Sequence, residues 1–417
     1  MKVLVVGGGG REHAIVWKLA KSPQIDEIYA APGNPGIGRL ATCVNIAAED
    51  IPGLAEFAKK NNIDLTVVGP EAPLVAGIVD EFKNRGLTVF GPDKAAAQIE
   101  GSKIFSKNLM KKYNIPTADY KVFEDPNDAI SCIDTAPMPI VVKADGLAAG
   151  KGVIIAPDRS TAKEAVKTMM IDKAFGKSGS RIVLEEYLEG PEVTVLAFCD
   201  GKRAVPMVSS RDHKRVFDNN KGPNTGGMGA VSPAPAYTPE IAEIVERDII
   251  QRTIDAMASE GAPFQGVLYT GLMITKNGPK VLEYNCRFGD PEAQVVIPRL
   301  KTDLVEVMQA VIDGDLTNAK IEWKSEVAVC VVIASGGYPG HYETGKVISG
   351  LDDAEKNGSI VFHAGTAEKD GKIITAGGRV LGVTALGKDV DEARKLAYES
   401  VSKIRFEGMH YRKDIGL

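Results

Sequence analysis

Lys143 closes the apolar run Pro139-Ile140-Val141-Val142. A buried ammonium is costly unless an anion meets it, so this position points to a negatively charged ligand. Alternation along a strand equally allows the side chain the solvent face of an edge strand. Directly downstream runs Gly146-Leu147-Ala148-Ala149-Gly150-Lys151-Gly152. It is not a P-loop: the spacing is one residue short, Gly152 stands where a Ser or Thr would bind Mg²⁺, and a strand follows where a helix is required. A glycine-rich turn between two strands can instead fold its backbone over phosphates as a flap, with Lys151 near the tip. The plainer alternative is a flexible hairpin.

A second group follows the run Lys280-Val281-Leu282. Glu283 and Asn285 are two apart on an expected strand and therefore share a side. Two oxygen ligands on one side, with Arg287 just beyond, suit Mg²⁺ and a phosphoryl group. Arg287, Asp290 and Glu292 crowd one short loop, for which a surface turn is the alternative. Glu185 and Glu186 end the run Ile182-Val183-Leu184, and Glu192 follows Gly190-Pro191. Such carboxylates can accept hydrogen bonds from ribose hydroxyls or an adenine amino group, and each taken singly also reads as a surface acid. Residues 209–235, rich in Gly, Pro, Asn and Ser, are expected as one long loop. They carry Arg211-Asp212-His213-Lys214-Arg215 and Gly222-Pro223-Asn224-Thr225-Gly226-Gly227-Met228-Gly229. Loops of that length are usually functional, and this one reads as a loop closing on a substrate rather than a solvated charge run.

These groups need elements to hold them. In the first hundred residues short apolar runs (Val3–Val6, Ile25–Ala30, Leu65–Val68, Leu87–Phe90) alternate with helical stretches such as Glu12–Lys21. That pattern predicts an open parallel sheet with ligands at the carboxyl ends of its strands. Gly7-Gly8-Gly9-Gly10 resembles a dinucleotide fingerprint, but Glu12 replaces the third glycine, and Pro32-Gly33-Asn34 stands where an acidic residue should end the second strand. A polar substrate near the helix N-terminus is the better reading; a nicotinamide-dependent oxidoreductase is kept as an alternative. After Gly101 the texture changes. A helix over Lys103–Tyr113 leads into strand–turn–strand units, and from about Glu326 the chain is strand-rich, closing on a helix near Asp391–Ser402. The expected divisions are 1–101 (parallel α/β), 102–320 (α+β, with a lid over about 120–188) and 321–417 (β-rich).

Composition narrows the classes. The 417 residues are 44% hydrophobic with a formal net charge of −5, which gives no sign of a nucleic-acid partner. The five cysteines are scattered with no CxxC pair, which argues against a disulfide framework or a zinc site and fits a reducing cytoplasm. No signal peptide or membrane span is expected.

Taken in order, the Gly-loop domain, the Lys143 strand with its flap, Glu185-Glu186-Tyr187-Leu188 with Glu192, and Glu283-x-Asn285-x-Arg287 resemble the ATP-grasp superfamily. Within it, GGGGREH at 7–13, GPEAPL at 69–74, KADGLAAGKGV at 143–153, DHKR at 212–215, GPNTGGMGA at 222–230 and NCRFGDPE at 285–292 resemble the phosphoribosylamine–glycine ligase (glycinamide ribonucleotide synthetase) family, over essentially the whole chain. The resemblance implies an ATP-grasp fold and an ATP-dependent carboxylate–amine ligase of de novo purine biosynthesis. Glycine would be joined to 5-phosphoribosylamine through glycyl phosphate, with ATP and Mg²⁺ (or Mn²⁺) as cofactors, small-molecule partners only, and a cytoplasmic location. It also implies roles. Lys103, Lys143, Gly150, Lys151, Gly152, Glu185, Tyr187, Leu188 and Glu192 would bind ATP. Glu283 and Asn285 would hold the metal. Arg287, Asp212, Lys214 and Asn224 would serve the chemistry. Glu12, His13, Asn34, Glu71, Asp290, Lys346 and Arg379 would surround the phosphoribosylamine. A different ATP-grasp ligase or carboxylase remains the nearest alternative.

Overall fold

The computed structural model describes residues 1–148 and 152–417. Strands β1 (Lys2–Gly7), β2 (Glu27–Pro32), β3 (Thr42–Cys43), β4 (Leu65–Val68) and β5 (Val89–Phe90) form a parallel sheet in the order β3-β2-β1-β4-β5. Val3 to Val6 are fully buried, as a strand covered on both faces requires. The connection runs outward from β1 to β3 and then back across to β4, so a crevice opens between the carboxyl ends of β1 and β4. Gly7 and the 69–71 turn meet there. Gly7 has φ +117°, and a Cβ on it would lie 2.6 Å from Glu12 Cγ, so only glycine fits where helix α1 (Gly10–Leu19) begins.

The next sheet is antiparallel: β6 (Tyr120–Phe123), β7 (Ile140–Ala144), β8 (Val153–Ala156) and β9 (Ile182–Glu186), in the order β6-β9-β7-β8. One face packs on Ala129, Ile133, Ala162 and Val166 from two helices. Val142 and Ala144 point into that core, so period-two alternation turns Lys143 to the other face, toward the rest of the molecule.

The chain then runs through β10 (Glu192–Asp200), β11 (Ala204–Pro206), β12 (Arg211–Asp212), β13 (Arg215–Phe217), β14 (Lys221–Asn224), β15 (Gly229–Ser232), β16 (Gln265–Thr275) and β17 (Gly278–Asn285). Strands β11-β10-β16-β17 make a second antiparallel sheet. It lies beside the 120–186 sheet: Thr117 bridges Val281, and Lys143 donates to Leu282 O at 3.0 Å.

Residues 209–235 are not the single loop expected. They contain four short strands. β13 and β14 pair as a hairpin, while β12 and β15 join β18 (Val327–Ala334), β22 (Arg379–Gly387) and β19 (Ile360–His363) in the sheet β12-β15-β18-β22-β19. The remaining strands β20 (Thr366–Lys369) and β21 (Lys372–Thr375) form a hairpin. The strands of 209–235 run four residues or fewer, too short for alternation to register locally, and β15 finds its partner about a hundred residues downstream. The closing helix Val390–Val401 buries Ala393, Ala397 and Val401 against Val329 and Val383. Among the described residues, no helix is long and apolar enough to cross a membrane.

Candidate active site

Lys143 is buried, not solvent-facing. Its Nζ lies 2.9 Å from Glu185 Oε2, and Lys107 Nζ, from the helix Lys103–Lys112, reaches the same oxygen at 3.0 Å. Lys107 also donates to Thr117 Oγ1 at 2.8 Å. The other carboxylate oxygen, Glu185 Oε1, is buried and has no hydrogen-bond partner among the described residues. Burial, against the pull of Glu185, brings the Lys107 ammonium down to about 8. Two lysines on one carboxylate leave a net positive charge facing the interior, which an anionic ligand would neutralise. Lys103 begins the same helix and donates to Gly146 O at 3.4 Å, beside the glycine-rich turn.

Glu283 and Asn285 do share a side of β17, for Tyr284 between them points into the core and bonds Thr253. Burial alone would push the Glu283 carboxyl up, but Lys214, Lys143, Lys103 and Arg287 together hold it below the usual carboxylate range. In the orientation that satisfies its surroundings, the Asn285 amide nitrogen donates to Glu100 Oε1 at 2.9 Å, leaving Oδ1 as the ligand-capable atom. Among the described residues no group of three or more His, Cys, Asp or Glu forms a ready metal cage. One carboxylate and one amide oxygen fit Mg²⁺ of the kind that takes its other ligands from phosphates and water.

Arg287 is fixed from two sides. Its Nε donates to Glu71 Oε2 at 3.1 Å and its NH2 to Glu100 Oε1 at 2.9 Å. Glu100 Oε2 also accepts from the Cys286 N–H at 2.7 Å. Arg11 stands 3.9 Å from the same Glu71 oxygen and 2.6 Å from Glu12 Oε1, and Glu12 Oε2 accepts from the Gly9 N–H at 2.6 Å. Thus the β1 and β4 crevice and the β17 end form one continuous charged floor.

Lys214 closes the opposite wall, 2.9 Å from Glu192 and 3.8 Å from Glu283; although burial opposes it, these two carboxylates raise its ammonium well above the ordinary lysine value. Burial and then Glu292 push the Asp212 carboxyl well up, and its Oδ1 is buried with no partner among the described residues. Arg379 NH1 donates to Gly226 O at 2.6 Å and to Asp290 O at 2.8 Å, and stands 3.3 Å from Asp290 Oδ1. Thr225 Oγ1 donates to Lys214 O and accepts from Gly227 N, which pins the turn after Asn224. Tyr187 is exposed, while Leu188 packs with Ala118, Met273 and Leu282 as an apolar strip beside Glu192.

The chain matches three family models in succession: the phosphoribosylglycinamide synthetase N domain over residues 1–100, the ATP-grasp (A) domain over 101–293 and the C domain over 328–417. A phosphoribosylamine–glycine ligase of Caldanaerobacter subterraneus is 52% identical over 415 residues, covering 100% of this chain and 99% of that one. This chain belongs to the phosphoribosylamine–glycine ligase family. The crystal structure of a phosphoribosylamine–glycine ligase from Thermotoga maritima superposes with a TM-score of 0.85 at 36% identity, covering 99% of this chain and 100% of that one. The biotin carboxylase domain of a Hydrogenobacter thermophilus 2-oxoglutarate carboxylase, solved with MgADP and bicarbonate, shares the fold (TM-score 0.75, 16% identity, 98% and 91% covered). Family membership makes the chain an ATP-grasp ligase, and the α/β and sheet-rich architecture agrees.

Not every residue assigned through the phosphoribosylamine–glycine ligase resemblance gathers in this cleft. His13 Nδ1 accepts from the His363 N–H at 2.8 Å. Asn34 donates to Gly8 O and His363 O and accepts from Ile37 N, which uses its whole amide on backbone. Both residues serve the seam between the first sheet and the last. Lys346 is tied to Glu343 (3.0 Å) and Glu407 (3.2 Å) near the surface, apart from the Arg379 contacts. Gly150 and Lys151 lie outside the described residues; Gly152 O accepts from Ala144 N at 2.8 Å. Sequence reading missed Lys107 and Glu100, and gave Glu292 no role beyond its place in the charged 286–292 loop. Lys107 was legible as the i+4 neighbour of Lys103 on one helix face; Glu100, isolated before a glycine, gave no signal.

Proposed function

We propose that this chain joins glycine to 5-phosphoribosylamine at the expense of ATP, giving glycinamide ribonucleotide, ADP and phosphate, as its family's name describes. One observation carries the reading: Lys214, 3.8 Å from Glu283, acts with Lys143, Lys103 and Arg287 to hold that carboxylate ionised, so four cations form a bowl at the β17 end. Such a bowl suits a polyphosphate with its metal and the charge that spreads during phosphoryl transfer.

In this reading Lys103 and Lys143 hold ATP phosphates, and the strip at Leu188 with the Tyr187 backbone takes adenine. Glu185 orients Lys143, and Glu192 takes the ribose. Glu283 and Asn285 would hold Mg²⁺ (or Mn²⁺), which when bound neutralises phosphate charge. A glycine carboxylate oxygen attacks the γ-phosphorus and the bond to ADP breaks. Arg287, braced by Glu71 and Glu100, faces the transferring group. The amine nitrogen of phosphoribosylamine then attacks the acyl carbon. A C–N bond forms, the C–O bond to phosphate breaks, and the amine loses a proton. Asp212, Lys214 and Asn224 orient the reacting groups, while Glu12, Glu71, Asp290 and Arg379 line the side where the sugar enters. Gly150 to Gly152 and the 212–229 strands keep water from the acyl phosphate. We infer three parts, 1–101, 102–320 with a lid over about 120–188, and 321–417, working in the cytoplasm.

Glycine labelled with ¹⁸O in its carboxylate tests the scheme. One labelled oxygen should leave in each inorganic phosphate, read by mass spectrometry. Unlabelled phosphate would exclude glycyl phosphate.

A further inference from the structure

A cleft of about 480 Å³ opens at the C-terminal end of α1, between that helix, the 298–303 segment and the stretch around Lys324. Eight residues separate Gly10 from Lys18, about 12 Å of helix, so this cleft and the active-site crevice lie at opposite ends of α1. The chain as a whole is acidic, yet Lys18, Lys21, Lys301 and Lys324 line this one cleft with Asp303 as its only acid. None of the four makes an ion pair with a carboxylate among the described residues. Asp303 is engaged otherwise: it accepts from Ser22 Oγ at 2.6 Å and caps the following helix through the Val305 N–H at 3.0 Å.

Lys18 and Lys324 are half-buried while Lys21 and Lys301 are exposed, and two of the four are held in place. Lys18 Nζ is pinned to Leu300 O at 2.5 Å and Lys301 O at 3.3 Å. Lys21 Nζ sits over the Trp17 ring, 3.5 Å from its centroid. Burial first, and then Lys324, hold both ammoniums below the ordinary lysine value. Gathering like charges costs free energy that a multivalent anion would return. An anion would draw Lys21 off the indole and uncover a flat aromatic face. The volume falls within the range of small-molecule sites, and junctions between domains are where such sites concentrate.

We propose that this cleft binds a phosphate-class anion, either inorganic phosphate or the phosphate end of a nucleotide. The site is separate from the ligase chemistry. The protein reports on it unaided, because it has two tryptophans and both are here: Trp17 in the wall, and Trp323, whose backbone bridges Leu300.

The test is tryptophan emission of the intact protein, titrated with inorganic phosphate and with AMP against chloride at matched ionic strength. Saturable change with either anion is expected, and it should persist in Lys143→Ala, which weakens phosphate binding at the active site. Tighter binding of AMP would identify a nucleotide, and equal or weaker binding would identify free phosphate. Lys21→Gln and Lys324→Gln should each weaken the response about tenfold, the scale of one charge-assisted contact. Emission that follows ionic strength alone across the millimolar range, or a response unchanged in both glutamine variants, would overturn the proposal.

Discussion

Lys143 Nζ lies 2.9 Å from Glu185 Oε2, and neither side chain has more than a few per cent of its surface in water. With Lys107 on the same oxygen, the carboxylate holds two buried cations apart. Glu185→Gln should therefore lower stability by about 3 kcal/mol, the scale for breaking a buried charge pair. Urea unfolding measures it, and an unchanged midpoint would refute the pairing. Lys143→Ala should cut turnover by about 10²-fold or more while the fold persists.

Glu100→Gln tests positioning. Glu100 touches Arg287, the Cys286 N–H and the Asn285 amide but no reactant in the proposed scheme. A glutamine would leave Glu71 as the one full carboxylate charge bracing Arg287. The expected result is a kcat loss of about 10²-fold, the scale of an ångström of misplacement, with KM for ATP little changed. A large rise in KM for ATP with full kcat would assign Glu100 to binding.

Glu283→Gln should raise the Mg²⁺ concentration needed for half-maximal rate steeply, because a hard cation prefers a full carboxylate charge. Circular dichroism should show the fold intact. An unaltered Mg²⁺ titration would remove Glu283 from the metal site.

Gly227 has φ +113°, and a Cβ there would stand 2.6 Å from Asp212 Oδ1 and also strike Pro291. Gly227→Ala combines that clash with a left-handed backbone costing about 1–3 kcal/mol in a residue with a side chain. Activity should fall at least about 10²-fold, with the thermal midpoint lowered by several degrees. Near-normal kinetics would show that the 222–230 turn tolerates displacement.

His13 and His363 set an acid limit. Burial, then the neighbouring charge of His363 and Arg39, brings His13 down to about 3; burial and Arg39 bring His363 to about 4. Unfolded histidines take up protons near pH 6.5, so between about 6.5 and 4 the unfolded chain holds more protons than the native one. Stability should fall as pH falls through that window, by up to about 1.4 kcal/mol per pH unit for each histidine. His13→Gln keeps an acceptor for the His363 N–H and should flatten the fall by about one proton. Identical acid limbs in urea unfolding at pH 6.5 and 4.5 would contradict this.

The parallel sheet was legible because its strands are nearly uninterrupted apolar runs closed by Gly and Pro. Lys143, Glu283 and Asn285 were legible because a charge at the end of an apolar run, or two oxygens at spacing two, carries its own geometry. The strands within 209–235 were not, because strands this short owe their pairing to distant partners. The contacts of His13 and Asn34 were not legible for a related reason. His13 follows the glycine loop and Asn34 follows the second strand, but both have hydrogen bonds to His363, 350 and 329 residues away. Sequence proximity to a ligand loop does not reveal which partner a side chain takes.

Strand β18 is paired on one side by β22 and on the other by β15, which belongs to the stretch between β10 and β16. A polypeptide starting near residue 321 would carry β18 with a bare edge of unpaired amides and carbonyls, an invitation to aggregate. The complementary polypeptide would lack the partner of β15. Split at that point, the two pieces would recognise one another by strand addition, and no gene encoding the last hundred residues alone would specify a well-behaved protein.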